Sequence, residues 1–488
     1  MNSDRPADSD QAQAAPAQGE SLRQRLRRLR RDSERADAVA SQDEPRKSEP
    51  RASVRERLAR RGRRGLDAAA PDAGASSAEP ADGELALGPP AGLVTSTGPD
   101  DEDVIARTTS CSSVFDHGEW TLVEVDDVDP STFELCTGDA ALDGLDLRDA
   151  VYLDTETSGL SGGAGTWVFL VGLGRFVDEG ERFEVWQGFL DEPDGERGLL
   201  AEAAARIRGA SAVVSFFGKS FDRHRLEDKM RLVGVEPPFD GKPHLDLFHP
   251  LRRLYRGAFE DSRLSTMERE LCGFERHNDL SGAFAPAAWF DYLARRPHRL
   301  EGVFEHNLHD VRSLVGLAAH LGRVMHETRG DGRQLAGPAA ERAAGLARSL
   351  WERGRRGEAL DWIARARQRR DSRELRLFRA DALRLTRQAD EALAAYAELV
   401  AEPEDEATAR CWVELAKLHE HARRDPEEAL ACCRRSRDAA ERRLTGMSRA
   451  RLLRELVPRE ARLASHLSAG AELDGLPSGT DDATDSGS

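Results

Sequence analysis

The stretch from Val151 to Phe176, VYLDTETSGLSGGAGTWVFLVGLGRF, decides the fold class. Two runs rich in Val, Leu, Phe and Trp flank a glycine-rich connection, which predicts two neighbouring strands. The first run carries Asp154 and Glu156 at i and i+2, so both side chains project from one face of the predicted strand. Such a pair repels and is costly to bury unless cations compensate, and oxygen ligands suit Mg²⁺ or Mn²⁺. The alternative is an edge strand whose acids face water.

The glycine-rich segment itself does not predict a phosphate cradle. No Lys-Ser or Lys-Thr pair follows it, and Gly163 and Gly165 lead into a strand rather than into a helix. We interpret it as a hairpin connection whose glycines supply positive φ angles. A loop in that place also lets a nucleic-acid backbone approach the two acids closely.

The surrounding sequence extends this pair of strands into an α/β domain. The segments RFEVWQGFL and SAVVSFF predict two more strands, and WTLVEVDDV predicts a strand before them. Helical patterns follow, one of them starting at a predicted capping box of Ser265 and Glu268. A strand meander followed by alternating strands and helices predicts a mixed sheet with helices on both faces, over residues 111–330.

The two ends of the chain differ from this central domain in composition. Residues 1–110 are rich in Ala, Pro, Asp, Ser and Arg, which predicts disorder, with short Arg-rich helices starting at Ser21 and Ser53. Residues 337–468 read as helical throughout, and residues 469–488 as a disordered tail.

A repeated tripeptide organises the helical part. EAL recurs at Glu358–Leu360, Glu391–Leu393 and Glu428–Leu430, a period close to the roughly 34 residues of a tetratricopeptide repeat. The resemblance predicts an all-α domain of degenerate tetratricopeptide-like repeats, which could bind a protein partner.

Composition also limits the partners and the compartment. The formal net charge of the 488 residues is −17, so binding to nucleic acid or to an anionic membrane needs a local basic patch. None of the six cysteines has a C-x-x-C or zinc spacing, which favours reduced cytoplasmic thiols. The sequence has neither a signal-peptide pattern at its start nor a run of 18 apolar residues. We therefore expect a cytoplasmic protein with no membrane association.

Three further acids lie at positions that folding could bring close to Asp154 and Glu156. Asp222 follows a predicted strand at the start of a helix, and Asp246 follows a short apolar strand. Asp310 lies on a late amphipathic helix, with His306 on the same face one turn earlier. Acids in these positions can converge on the first pair and hold two divalent ions about 3.5–4 Å apart for in-line attack on a phosphodiester.

The segments LDTETSGL, FFGKSFDRHRL and EHNLHDV resemble the three motifs of the DEDD, or DnaQ-like, 3'–5' exonuclease superfamily, which has a ribonuclease-H-like fold. The segments HLDLFHPLRRLYR and LSTMERELCGFER are similar to the YprB-type branch, and the similarity covers about residues 122–325. The resemblance implies that His306 is the general base and that two Mg²⁺ or Mn²⁺ ions are held by Asp154, Glu156, Asp222 and Asp310. It also implies substrate contacts from Thr157, Gly159 and Leu160.

Two positions depart from the family pattern. Three residues separate His306 from Asp310, which is the spacing of the tyrosine subclass, whereas the histidine subclass has four. Phe217 stands where related sequences tend to have Asn before the glycine.

Basic and aromatic residues near these motifs form a candidate substrate surface. The aromatic candidates for base stacking are Phe217, Phe221, Trp289 and Tyr292. The basic candidates are Arg223, Arg225, Arg252, Arg253, Arg256 and Arg263. The alternative is that the aromatics belong to the core and the arginines to a solvated face.

Together these features predict a metal-dependent 3'–5' exonuclease that acts on single-stranded DNA or RNA. One alternative is a weakly active or inactive nuclease fold that serves as a nucleic-acid-binding scaffold and recruits partners through its helical repeats. Another is an endonuclease on the same fold.

Overall fold

The computed structural model describes residues 85–159, 165–277, 280 and 282–474. The Arg-rich helices predicted near the N-terminus, the candidate Leu160 and the residues after Asp474 lie outside the described residues. Within the part of the chain that is described, none of the helices combines the length and apolar composition needed to cross a bilayer.

One seven-stranded mixed sheet forms the centre of the fold, in the order β1-β2-β7-β6-β5-β8-β9. Neighbours from β1 to β5 run antiparallel, whereas β5–β8 and β8–β9 are parallel pairs. Two short strands, β3 and β4, form a separate hairpin. The strands are β1 Val94–Thr97, β2 Asp103–Ser112, β3 Asp116–His117, β4 Trp120–Thr121, β5 Ala150–Thr157, β6 Val168–Val177, β7 Arg182–Phe189, β8 Ala212–Ser215 and β9 His244–Asp246.

Helices cover both faces of this sheet, as the sequence predicts. Along β5, Val151 and Leu153 enter one core with Val213, whereas Tyr152 enters the other core with Val214. This alternation is the period of two of a strand, and burial of both faces explains the nearly continuous apolar runs. The helices of this domain are α1 Ser131–Thr137, α2 Glu196–Arg208, α3 Asp222–Leu232, α4 Phe248–Leu254, α5 Leu264–Cys272, α6 Ala285–Leu293 and α7 Leu300–Arg323.

Three local predictions were wrong. The first predicted strand is only Trp120–Thr121, and a 3₁₀ turn follows it at Leu122–Asp127. The predicted boundary at residue 111 lies inside β2, which pairs with β7 along its length. Five of the ten residues of β2 are Thr, Ser or Arg and four of the ten are exposed, so its composition resembled that of a disordered segment. Ser265 does not begin a capping box, because α5 starts one residue earlier.

In the described part of the chain, seven α-helices follow the sheet domain. They are α8 Ala339–Glu352, α9 Arg356–Arg369, α10 Arg373–Leu385, α11 Ala389–Ala401, α12 Thr408–Leu418, α13 Pro426–Arg443 and α14 Gly446–Asp474. The last helix continues to Asp474, beyond the predicted end at residue 468. The three EAL tripeptides fall in the first turns of α9, α11 and α13, and each of these helices packs on the helix before it.

The helical region shares one core with the sheet domain. Buried residues of α8 and α9 belong to the same apolar cluster as Tyr152 and Val214 of the sheet. At Gly345 in α8, an added Cβ would lie 2.5 Å from the Cα of Leu254, so the two backbones touch there. The helices are therefore packed onto the domain rather than joined to it by a linker.

Candidate active site

The predicted acids gather at the carboxyl ends of the three parallel strands. Asp154 and Glu156 lie in β5, Asp222 is the first residue of α3 after β8, and Asp246 ends β9. Ligand sites of open α/β sheets occur at this end of parallel strands. Asp310, on α7, reaches the same place from another element, because its charge acts on both Asp154 and Asp222.

Asp154 lies close to the negative charges of three other acids. Burial raises the pKa of its carboxyl well above the usual value, and the nearby charges of Asp310, Asp222 and Glu156 raise it further. The Nδ2 group of Asn307 donates a hydrogen bond of 2.7 Å to Asp154 Oδ2, which opposes that shift. The protein supplies this carboxylate with an orienting amide but leaves much of its charge uncompensated.

The pKa of Asp222 is also raised by burial and nearby acids, and a hydrogen bond opposes this shift. Burial raises its pKa to about 6, and repulsion from Asp246 and Asp310 adds to the increase. The hydroxyl of Thr155 donates a hydrogen bond to Asp222 Oδ1, which partly offsets these effects. Thr155 lies on β5 between the two acids of that strand, so one strand both carries two of the carboxylates and orients a third.

A buried amide network holds Asn307 in place. Gln187 Nε2 donates to Asn307 Oδ1 at 2.9 Å and to the carbonyl of Phe304 at 2.7 Å. Arg107 Nε in turn donates to Gln187 Oε1 at 3.2 Å. Gly172 lies opposite Asp154 in the β5–β6 ladder, and a Cβ there would come within 2.3 Å of Asn307 Oδ1. The glycine is required because this amide occupies the space of a side chain.

His306 and Asp310 meet a residue that the motif analysis missed, Arg276. Its guanidinium forms an ion pair with Asp310 Oδ1, and its Nη1 donates to His306 Nδ1 at 3.0 Å. The other ring nitrogen, Nε2, lies 3.5 Å from Asp310 Oδ2. A guanidinium has no acceptor, so His306 Nδ1 accepts here and a neutral ring carries its proton on Nε2.

Arg276 is itself fixed from behind by Glu268. Nη2 of Arg276 donates to Glu268 Oε2 at 2.9 Å, Nε donates to the other oxygen, and both side chains are almost fully buried. Burial alone would lower the pKa of Arg276, but the charges of Asp310 and Glu268 outweigh it and raise that pKa. Ser313 donates to Glu268 and lies 2.8 Å from His117 Nε2. Glu268, predicted as a helix cap, instead anchors the arginine.

Asp246 stabilises the loop between β8 and α3. Its two carboxylate oxygens accept backbone N–H groups of Phe217 at 2.8 Å, Lys219 at 3.2 Å and Phe248 at 3.1 Å. In the same loop, a Cβ on Gly218 would lie 2.8 Å from Asp222 Oδ2. The glycine therefore allows the backbone to pass directly beside the acids.

The donor set suits a hard divalent cation. The converging side chains offer carboxylate oxygens, and burial together with nearby acids raises the pKa of Asp154 and of Asp222. Arg276 compensates one oxygen of Asp310. Asp154, Glu156, Asp222 and Asp310 thus fit the metal-ligand role that the motifs imply.

The candidate substrate residues differ in their contacts and in their exposure. Thr157 donates its hydroxyl to the carbonyl of Gly159, and the hairpin beside them closes through Ser158 N to Trp167 O at 2.8 Å. Phe221, partly buried at the start of α3, lies under the guanidinium of Arg225. Phe217 is 43% exposed.

Other candidates belong to the core or to ion pairs. Trp289 is fully buried and stacks on Phe169, and Tyr292 is buried as well, so neither is a surface for bases. Arg223 pairs with Glu227 at 2.6 Å. Arg253 pairs with Glu352 at 3.0 Å, across to α8.

This architecture, a mixed sheet flanked by helices with acids at the carboxyl ends of its parallel strands, is the ribonuclease-H-like fold. Residues 151–322 match the family model described as the RNase_H superfamily. The match supports the ribonuclease-H-like nuclease superfamily for this segment and suggests nuclease activity.

The chain also resembles a protein of Bacillus subtilis (strain 168) named "Uncharacterized protein YprB". The two are 33% identical over 182 residues, which is 37% of this chain and 43% of that protein. The match therefore covers less than half of the length of either protein.

Proposed function

We propose that the sheet domain is a metal-dependent 3'–5' exonuclease that hydrolyses phosphodiester bonds of single-stranded DNA or RNA. The observation that carries the proposal is the convergence of Asp154, Asp222 and Asp310 from three separate elements, at a cost in mutual repulsion. Natural proteins retain such a costly arrangement where the site has a function.

In this proposal the four acids Asp154, Glu156, Asp222 and Asp310 hold two Mg²⁺ or Mn²⁺ ions. When bound, such ions lower the pKa of a water and stabilise the charge on the attacking and leaving oxygens. The protein itself contributes orientation: Asn307 fixes Asp154, and Thr155 fixes Asp222.

For His306 to act as the general base, its hydrogen bond with Arg276 must change. Base catalysis at Nε2 requires a lone pair there, whereas the hydrogen bond from Arg276 to Nδ1 leaves the proton of a neutral ring on Nε2. We propose that this contact opens when substrate binds, and that the guanidinium then donates to a phosphate oxygen. Arg276 would then link substrate binding to the position of the proton on the His306 ring.

A nuclease panel tests the proposal. Full-length protein is incubated with end-labelled single-stranded DNA and RNA, with free or blocked 3' ends, in Mn²⁺, Mg²⁺ or EDTA. We expect metal-dependent shortening of free ends only, and loss of activity in Asp154→Ala and Asp310→Ala. Asp240→Asn, an exposed acid, is the matched control. Activity that survives both alanine substitutions would refute the proposed site, and cleavage of blocked ends would identify an endonuclease.

The contact between Arg276 and Asp310 favours one alternative, a weakly active or inactive scaffold that binds nucleic acid. A guanidinium already paired with a metal-binding acid lowers the affinity for a cation at that acid. Calorimetry with Mn²⁺ together with the nuclease panel distinguishes the two. Mn²⁺ binding that depends on Asp154, without turnover of any substrate in the panel, would support the scaffold.

We further propose that α8–α14 form tetratricopeptide-like repeats that bind a protein partner. The EAL tripeptides lie in the first turns of α9, α11 and α13, which supports a repeated helix pair. All six cysteines are unpaired, in keeping with our proposal of a cytoplasmic location. Affinity capture with full-length protein tests the partner, compared with full-length protein that carries Glu391→Arg and Glu398→Arg at exposed positions of α11.

A further inference from the structure

The loop that leads from β8 to Asp222 holds an aromatic side chain in a costly position. Phe217 has φ +61°, in the left-handed region that Asn and Gly adopt far more readily than Phe. Its ring is nevertheless 43% exposed, so packing does not compensate for the conformation. A strained backbone that presents an apolar ring to solvent points to a role outside folding.

The conformation of Phe217 is fixed by the site itself. Its backbone N–H donates to Asp246 Oδ1 at 2.8 Å, and the N–H of Lys219 donates to the other oxygen of the same carboxylate. At Gly218, the next residue, an added Cβ would lie 2.8 Å from Asp222 Oδ2. The backbone that carries the ring is therefore fixed by Asp246, one residue away from the close approach to Asp222.

An open groove of about 560 Å³ runs past this ring. Phe248 packs edge-on against Phe217, with ring centroids 4.9 Å apart, and Arg252 lies over Phe248 at 5.7 Å. The groove is lined by Phe216, Phe217, Phe248, Arg252, Ser262 and Arg263. Aromatic faces with guanidinium groups at the margin match the two parts of a nucleotide, a base to stack and a phosphate to neutralise.

The charges of this groove favour nucleic acid over other occupants. Arg252 is exposed and has no acidic side chain within ion-pair distance among the residues that the structure describes, and its guanidinium lies over the ring of Phe248. Arg263 is paired with Asp261 at 3.4 Å but is mostly exposed. In a chain with a net charge of −17, this local positive charge next to the exposed ring of Phe217 suits an anionic, base-bearing ligand.

We propose that Phe217 is a base-stacking platform, and that the groove binds a nucleotide of the single strand whose end lies at the acids. This inference deepens the proposed function, on which it rests for the identity of the substrate. The strain at residue 217 is then the cost of presenting the ring, and the platform contributes to binding of unpaired bases of any sequence. Duplex ends, whose bases are stacked on each other, do not use it.

The substitution Phe217→Asn tests this platform, because stability and binding should change in opposite directions. Asparagine tolerates the left-handed conformation, so we expect the urea midpoint to rise or stay unchanged. Loss of one base stack should weaken binding of a single-stranded decanucleotide roughly five- to hundredfold. Phe217→Trp should retain the binding, and Phe115→Asn, at an exposed phenylalanine outside the groove, should leave it unchanged.

Binding is measured without turnover, in a background of Asp154→Asn, by anisotropy of labelled DNA and RNA decanucleotides. A 2-aminopurine placed at successive positions from the 3' end reports the stack as quenched fluorescence. We expect quenching at one or two positions, absent in Phe217→Asn. An inactive nuclease fold that stacks bases would still give this result, so the outcome is separate from that of the nuclease panel.

Three outcomes would overturn the platform. One is an unchanged affinity and unchanged fluorescence in Phe217→Asn, and another is a failure of the decanucleotides to bind at all. The third is a loss of stability in Phe217→Asn that accompanies the loss of binding, which would show that Phe217 packs rather than stacks.

Discussion

Replacing Asp222 with asparagine should make the metal-free protein more stable. Burial and neighbouring acids raise the pKa of Asp222 from the usual 3.8 to about 6 in the folded state. Each pKa unit corresponds to roughly 1.4 kcal/mol, so the charged form costs the folded state about 3 kcal/mol. Asparagine carries no charge, and its Oδ1 can still accept the hydrogen bond from Thr155.

The sign of the pH dependence follows from the raised pKa. A group that binds its proton more tightly when folded favours the folded state below pH 3.8, and this contribution is lost as the pH rises through about 6. The stability difference between Asp222→Asn and the unsubstituted protein should therefore be near zero at pH 4. It should grow to about 3 kcal/mol at pH 8.

Urea unfolding in EDTA at pH 4, 6 and 8 measures this difference. Asp240→Asn is the control, because its carboxylate is 89% exposed and should show no such trend. Adding Mn²⁺ at pH 8 should stabilise the unsubstituted protein more than Asp222→Asn, because the bound cation offsets the negative charge of the Asp222 carboxylate. A variant that is less stable than the unsubstituted protein at pH 8, or a difference that does not depend on pH, would contradict the reasoning.

Three further substitutions test the contacts around the site. Gly172→Ala should lower kcat about a hundredfold by displacing Asn307, with which its Cβ would collide, and nuclease kinetics measure the loss. Arg276→Lys should cost about 3 kcal/mol in urea unfolding, because lysine cannot pair Glu268 and Asp310 together; an unchanged stability would exclude that network. Gly345→Ala should cost about 1–3 kcal/mol by pushing α8 away from α4. In both unfolding and activity assays, Gly357→Ala is the control, since its Cβ would meet open space.

The sequence was most informative where a pattern is local. Runs rich in Val, Leu, Phe and Trp identified β5, β6 and β7, and helical periodicity identified α2, α3 and α7. It was least informative for β2, whose polar side chains gave no such pattern although the strand is held by its pairing with β7. Strand pairing comes from backbone hydrogen bonds, which composition does not record.

Buried polar residues show the same limit within the site. Asn307 lies in the segment EHNLHDV, but nothing in that segment shows that its side chain orients Asp154. Glu268 fits a capping pattern in the sequence, whereas in the structure it pairs with Arg276. A buried polar side chain needs a partner, and the sequence does not say which distant residue provides it.

The sequence by itself determined the class of fold and the chemical identity of the candidate ligands, because periodicity and carboxylates are properties of short segments. Only the tertiary structure decided that Arg276 contacts both His306 and Asp310, that Trp289 is core, and that Phe217 is exposed in a strained conformation. These outcomes depend on elements far apart in the chain, which come into contact only when the sheet and its helices pack.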